Sequence, residues 1–143
     1  MIMKKILLLS ILFFAGIMSL SAQALKKDIK YNDPQEPKSI GIVMYSNDTE
    51  TVFNAFRFAN YAQEWDNQVE IFLLGKGVEV EEMMEKDENI KSQVDNFIDQ
   101  GGVIMGCKTC LQSRKKEGSK ICKVTCIEDL YNLVKKNQIV LTF

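Results

Sequence analysis

Cys107 and Cys110 are two residues apart and directly follow the apolar run Val103, Ile104, Met105 and Gly106, where a strand would hand over to a helix. A thiol at a helix start faces unpaired backbone N–H groups and the positive end of the aligned peptide dipoles. Both favour the thiolate, which is the nucleophilic form of cysteine. Lys108, Arg114, Lys115, Lys116, Lys120 and Lys123 surround the pair in sequence and suit an anionic partner. Cys122 and Cys126 follow at the next apolar run. With 4 cysteines and 0 histidines in the chain, imidazole chemistry is excluded.

Three uses of these thiols compete. Two nearby cysteine pairs advertise a four-thiolate zinc site. Distance argues against it: in a strand over Ile121 to Val124, Cys122 and Cys126 would stand roughly 13 Å apart at about 3.3 Å per residue, too far to share one metal. No metal site and no cofactor are therefore expected. The second use is structural, as a disulfide or as buried thiols, and Cys122 inside a strand fits a small buried hydrophobe. The third is a reactive thiol at Cys107, with Cys110 or Cys126 as its resolving partner. Cys126 reaches the same sheet edge as Cys107 if the third and fourth strands are neighbours.

The elements that position these residues are legible from periodicity. Ile40 to Tyr45 forms a first strand. Asn47 with Glu50 fits a capping box, opening a helix with Val52, Phe53, Phe56, Ala59, Ala62 and Trp65 on its apolar face. Val69 to Leu74 is a second strand closed by Gly75 and Gly77. The acidic stretch Glu79 to Glu88 reads as a solvated helix face, and Ile90, Val94, Phe97 and Ile98 continue a helical pattern. Val103 to Met105 is a third strand, Cys107 to Lys116 a short basic helix, and Ile121 to Val124 a fourth strand. Thr125 with Glu128 reads as a capping box before a helix through Leu130, Leu133 and Val134, and Ile139 to Phe143 closes the chain. Strands alternating with helices predict one α/β domain with a five-stranded, mainly parallel sheet. Ligands of such sheets lie beyond the carboxyl ends of the strands, near the switch in strand order, which marks Ser46 and Asn47 as well as Cys107.

The ends and the charge bound the setting. Lys4 and Lys5, an apolar stretch from Ile6 to Leu20 and the small residues Ser21 to Ala24 predict a signal peptide over residues 1–24 and a periplasmic or otherwise exported product. The apolar stretch is shorter than the roughly 20 residues of a spanning helix, so no stable membrane span is expected after processing. Residues 25–38, which hold Pro34 and Pro37, read as a linker, and residues 39–143 as the domain. Removing Lys4 and Lys5 leaves 16 basic against 19 acidic residues, a net charge of −3, which argues against a nucleic-acid partner.

The run from Gly41 to Gly77, with Tyr45, Ser46, Asn47 and Asp48 entering the first helix, resembles the DsrE/DsrF-like family of small sulfur-relay proteins. Cys107 followed seven residues later by Arg114, and the closing Val140, Leu141, Thr142 and Phe143, carry the resemblance across residues 39 to 143. It implies a five-stranded domain with flavodoxin-like layering, assembly as a homotrimer or homohexamer, and a sulfur-carrier or sulfurtransferase-like role with a persulfide on Cys107. From the placement of the residues themselves, Cys110 and Cys126 are the further catalytic thiols, and Ser46, Asn47, Lys108 and Arg114 the ligand-binding set. The expected partners are small sulfur species or the thiol of another protein. Three features depart from the relay pattern: the export signal, Cys110 beside Cys107, and Lys115 after Arg114 with Gly118 later. Export sets aside tRNA modification. The alternatives from other classes are a non-catalytic oligomeric protein that holds a small ligand at Ser46 and Asn47 and uses its cysteines for a structural disulfide, or a cysteine zinc-binding module. The signal is tested by N-terminal sequencing of the protein from its host, which should begin at Gln23 or Leu25; a soluble product retaining Met1 contradicts it.

Overall fold

Strand β1, Ser39–Met44, is the hub of the sheet in a computed structural model that describes residues 36–143. It pairs in parallel with β2, Gln68–Leu73, on one side and with β5, Ile139–Thr142, on the other. β2 pairs with β3, Val103–Cys107, and β3 with β4, Lys123–Thr125, giving the order β4-β3-β2-β1-β5 with every pairing parallel. Parallel neighbours require crossovers, supplied here by α1 (Thr49–Glu64), by α2 (Val80–Met84) with α3 (Glu88–Asp99), by α4 (Lys108–Ser113) and by α5 (Ile127–Lys136). The expected single α/β domain with a five-stranded parallel sheet is present. The signal peptide and residues 25–35 of the linker lie outside the described residues. No helix among the described residues is long and apolar enough to cross a membrane.

Alternation along the strands sorts the core onto two faces. Ile40, Ile42 and Met44 of β1, with Ile71 and Leu73 of β2, face α1 and α3, whose Phe56 and Phe97 rings meet edge to face at 5.8 Å. Val43, Phe72, Met105 and Cys107 face the other way and are covered by Leu133 of α5. The second face is the thinner one. Leu133 is the only buried residue of α5, while Ile127, Tyr131 and Val134 of the same helix stay exposed.

Several boundaries differ from the periodicity, each for a local reason. Asp48, not Asn47, caps α1: its carboxylate accepts from the Thr51 N–H at 2.9 Å, and an ionised group outcompetes a carboxamide at the positive helix end. The cap of α5 is Cys126 with Asp129 rather than Thr125 with Glu128, because Thr125 is held in the ladder opposite Cys107. The fourth strand starts only at Lys123, since the Ile121 and Cys122 N–H groups both donate to Ser119 Oγ at 3.2 Å and form a serine turn. Asp87 breaks the acidic helix by accepting from the Asn89 N–H at 2.9 Å, so α3 starts afresh.

Leu133 fills the space above Gly41, where an added Cβ would stand 2.5 Å from Leu133 Cδ2. As the only buried side chain of α5, it carries that helix's share of the core. Leu133→Ala is expected to cost about 2–5 kcal/mol, read as a lowered midpoint in urea unfolding. A loss below about 1 kcal/mol would show that α5 is held by something other than this contact.

Candidate functional site

Both thiols of the CxxC segment stand at the carboxyl edge of the sheet, in different settings. Cys107 is the last residue of β3 and the N-cap residue of α4; it is 5% exposed and packs with Val43, Phe72 and Met105. The sequence reading ends the third strand at Met105 and starts the helix at Cys107; the strand instead runs through Cys107 and carries it into the second-face core. Cys110, one turn into α4, packs against both core clusters, including the one that holds Cys107. Its Sγ accepts the Gly75 N–H at 3.2 Å. Gly75 has φ of 54°, a left-handed conformation that turns its N–H toward α4 at no steric cost.

Burial pushes the Cys110 thiol up from its ordinary value, and contact with Cys107 pushes the same way; the Gly75 N–H and the Arg114 guanidinium pull against them. The net direction keeps the proton on Cys110.

One carboxylate ties the surrounding loops together. Glu79, at the end of the 3₁₀ turn Gly75–Glu79, accepts from Arg114 Nε at 2.6 Å on Oε1 and from Asn47 Nδ2 at 2.8 Å on Oε2. Arg114 Nη1 reaches back to the Cys110 carbonyl oxygen at 3.1 Å. The loop after β1, the turn after β2 and the end of α4 are thus joined through a single side chain beside the thiol pair. The pairing holds Glu79 below its ordinary value of 4.5, with the Arg114 bond the largest cause and Asn47 the next. Gly77 seats the turn: a Cβ there would collide with the Met44 carbonyl oxygen.

The acidic stretch is more than a solvated face. Besides Glu79, Glu82 pairs with Lys116 at 2.9 Å, and Glu81 accepts the Lys120 N–H at 3.2 Å, pinning the loop that follows α4. Nothing in the sequence separates Glu79 from its acidic neighbours; Arg114, seven residues after Cys107, is the one hint of its partner.

The remaining candidates are dispersed. Ser46 Oγ accepts the Asp48 N–H at 3.0 Å and belongs to the turn, while Asn47 is committed to Glu79. Both sit beside the reversal of strand order between β1 and β5, where the Tyr45 N–H donates to the Phe143 carbonyl at 2.8 Å. Lys108 is exposed at the start of α4. Cys126 is exposed at the end of β4, and its Sγ lies 3.8 Å from Asp129 Oδ2 rather than against Cys107. Cys122 lies ahead of β4 instead of within it, with its Sγ packed over Gly106 on the opposite face of β3 from Cys107; burial raises its thiol. All four cysteines are free thiols.

The chain belongs to the DsrE/DsrF-like family, whose model matches residues 38–143. Two solved structures share the fold. The ychN protein from E. coli has a TM-score of 0.63 at 19% identity, covering 75% of this chain and 99% of its own. A conserved protein of unknown function from Bacteroides thetaiotaomicron has a TM-score of 0.60 at 18% identity, covering 74% of this chain and 95% of its own. No curated protein matches the chain.

The Glu79 bridge has a predictable pH signature. A carboxyl with a folded value below its unfolded one contributes stability above the unfolded value and loses it as pH falls through the folded value. Glu79→Gln is expected to cost about 1 kcal/mol at pH 7, the worth of a partly exposed charged hydrogen bond. That cost should shrink as pH falls below 4.5. Urea melts of both proteins across that range check it, and a cost independent of pH contradicts it.

Proposed function

We propose that this protein is an exported member of its family that handles sulfane sulfur or exchanges thiols through Cys107, with Cys110 as the partner thiol. The observation that carries this reading is the placement of two thiols at one sheet edge, Cys110 packed against the cluster that holds Cys107 and accepting the Gly75 N–H. Family membership and the position of Cys107 at the end of the third strand support it.

In the proposed reaction the Cys107 thiolate attacks a terminal sulfur of a polysulfide. A new S–S bond forms, and the shortened polysulfide leaves with the electron pair of the broken bond. An acceptor thiolate then attacks the outer sulfur and restores the Cys107 thiolate. When Cys110 attacks the inner sulfur instead, hydrosulfide leaves and a Cys107–Cys110 disulfide remains. The low exposure of Cys107 favours small sulfur species over a bulky donor at the loading step. Cys126, engaged with Asp129, is the weaker candidate for resolution.

Arg114 acts in this reading as a strut for α4 through Glu79 and the Cys110 carbonyl, which leaves exposed Lys108 as the freer cation toward an anionic donor. The domain is proposed to work as a homotrimer or homohexamer. The exposed apolar side chains Ile127, Tyr131 and Val134 of α5, at the thinly covered second face, support that assembly.

Intact mass spectrometry after exposure to polysulfide tests the reading. Cys107→Ser should lose the mass gain of added sulfur, Cys122→Ser should keep it, and Cys110→Ser should load but release more slowly. Full loading of Cys107→Ser, or a Cys107–Cys110 disulfide that survives millimolar dithiothreitol in the native state, would remove the nucleophile.

A further inference from the structure

We infer that the outer face of α1 docks the same helix of a second copy of this chain, the two packed antiparallel about a twofold axis. The inner face of α1 is spent on the core through Val52, Ala55, Phe56, Ala59 and Ala62. Its outer stripe carries three exposed aromatics, Phe58 at 39%, Tyr61 at 58% and Trp65 at 47% exposure, with the Tyr61 and Trp65 rings edge to face at 6.3 Å. Aromatic side chains together with arginine are the usual anchors of protein interfaces, and here they are concentrated on one helix face.

Charge decides the occupant and its direction. Arg57 and Glu64 are exposed on this stripe and join no ion pair among the described residues. They stand seven residues apart, two helical turns or about 10.5 Å, and bracket Tyr61. An antiparallel second copy brings its Glu64 opposite Arg57 and its Arg57 opposite Glu64, with the two Tyr61 rings near the axis. This is the self-complementary pattern of an isologous contact. A parallel copy would set Arg57 against Arg57 and Glu64 against Glu64.

The surface is also braced and recessed. Buried Asn60 donates both amide hydrogens to Gln93 of α3, at 3.0 Å to its carbonyl and 2.8 Å to its side chain, fixing α1 on its neighbour. A groove of about 550 Å³ between the two helices, lined by Arg57, Phe58, Tyr61 and Glu64 among others, leaves room for the Trp65 ring of the second copy. A contact built on one helix pair is small beside the about 800 Å² per partner of a standard interface, so its occupancy rises with concentration and falls with salt. It is separate from the second sheet face: added to a threefold assembly there it closes a hexamer, and alone it makes a dimer.

Sedimentation velocity at tens of micromolar protein and low salt tests it. Arg57→Glu alone and Glu64→Arg alone should each halve the mass of the wild-type particle, with thermal melts by circular dichroism unchanged because both positions are exposed. Mixing the two variants in equal amounts regenerates two opposite-charge pairs across the axis and should restore the wild-type mass. Single variants that sediment like wild type, or a mixture that stays at half mass, would overturn the contact. Neither readout involves sulfur, so the result stands apart from the chemistry of Cys107.

Discussion

The two hydrogen bonds accepted by the Glu79 carboxylate hold the working edge of this domain in one arrangement. Asn47 comes from the loop after β1, Arg114 from the end of α4, and Glu79 from the turn after β2. A parallel sheet fixes where its strands end but not how the loops beyond them sit. Here a charge-assisted bond of 2.6 Å fixes the loops, and Arg114 passes the constraint to the Cys110 backbone. Gly75, four residues before Glu79 in the same turn, then offers its N–H to the Cys110 sulfur. The thiol pair is therefore defined as much by an acidic residue on another element as by its own two-residue spacing.

The environment of the pair combines protection with reach. Cys107 is enclosed among Val43, Phe72 and Met105, which limits access by bulk oxidants, while Cys110 beside it is part-exposed and retains its proton because of burial and the neighbouring sulfur. Such a pair can present one sulfur as acceptor and the other as a proton donor or second nucleophile. Cys122 and Cys126 lie apart from this pair. One is packed over Gly106 on the far side of the sheet and the other caps α5.

The strands and helices were legible because alternation and the 3.6-residue period act over many residues at once, and the parallel order followed from the crossovers. The cap of α1 slipped by one residue, from Asn47 to Asp48, because the choice depends on charge against the helix dipole, and that of α5 slipped because Thr125 is held in the ladder. Cys107 was located correctly at the junction, but its burial was hidden, since exposure there depends on which face of β3 it takes and on how far α5 extends over that face. Glu79 was hidden more deeply: within a run of acidic residues, only the tertiary position of Arg114 distinguishes it. Arg114 itself was visible as a ligand-binding candidate, but its bond to Glu79 was not.

Peptide-level mass spectrometry on wild-type protein briefly exposed to polysulfide and then alkylated tests the central claim most directly, because it locates the added sulfur without altering the Glu79 network. Added sulfur on Cys107, with Cys110 unmodified or joined to it, is the predicted result. Sulfur found first on Cys126 or Cys122, with Cys107 unmodified, would contradict the account.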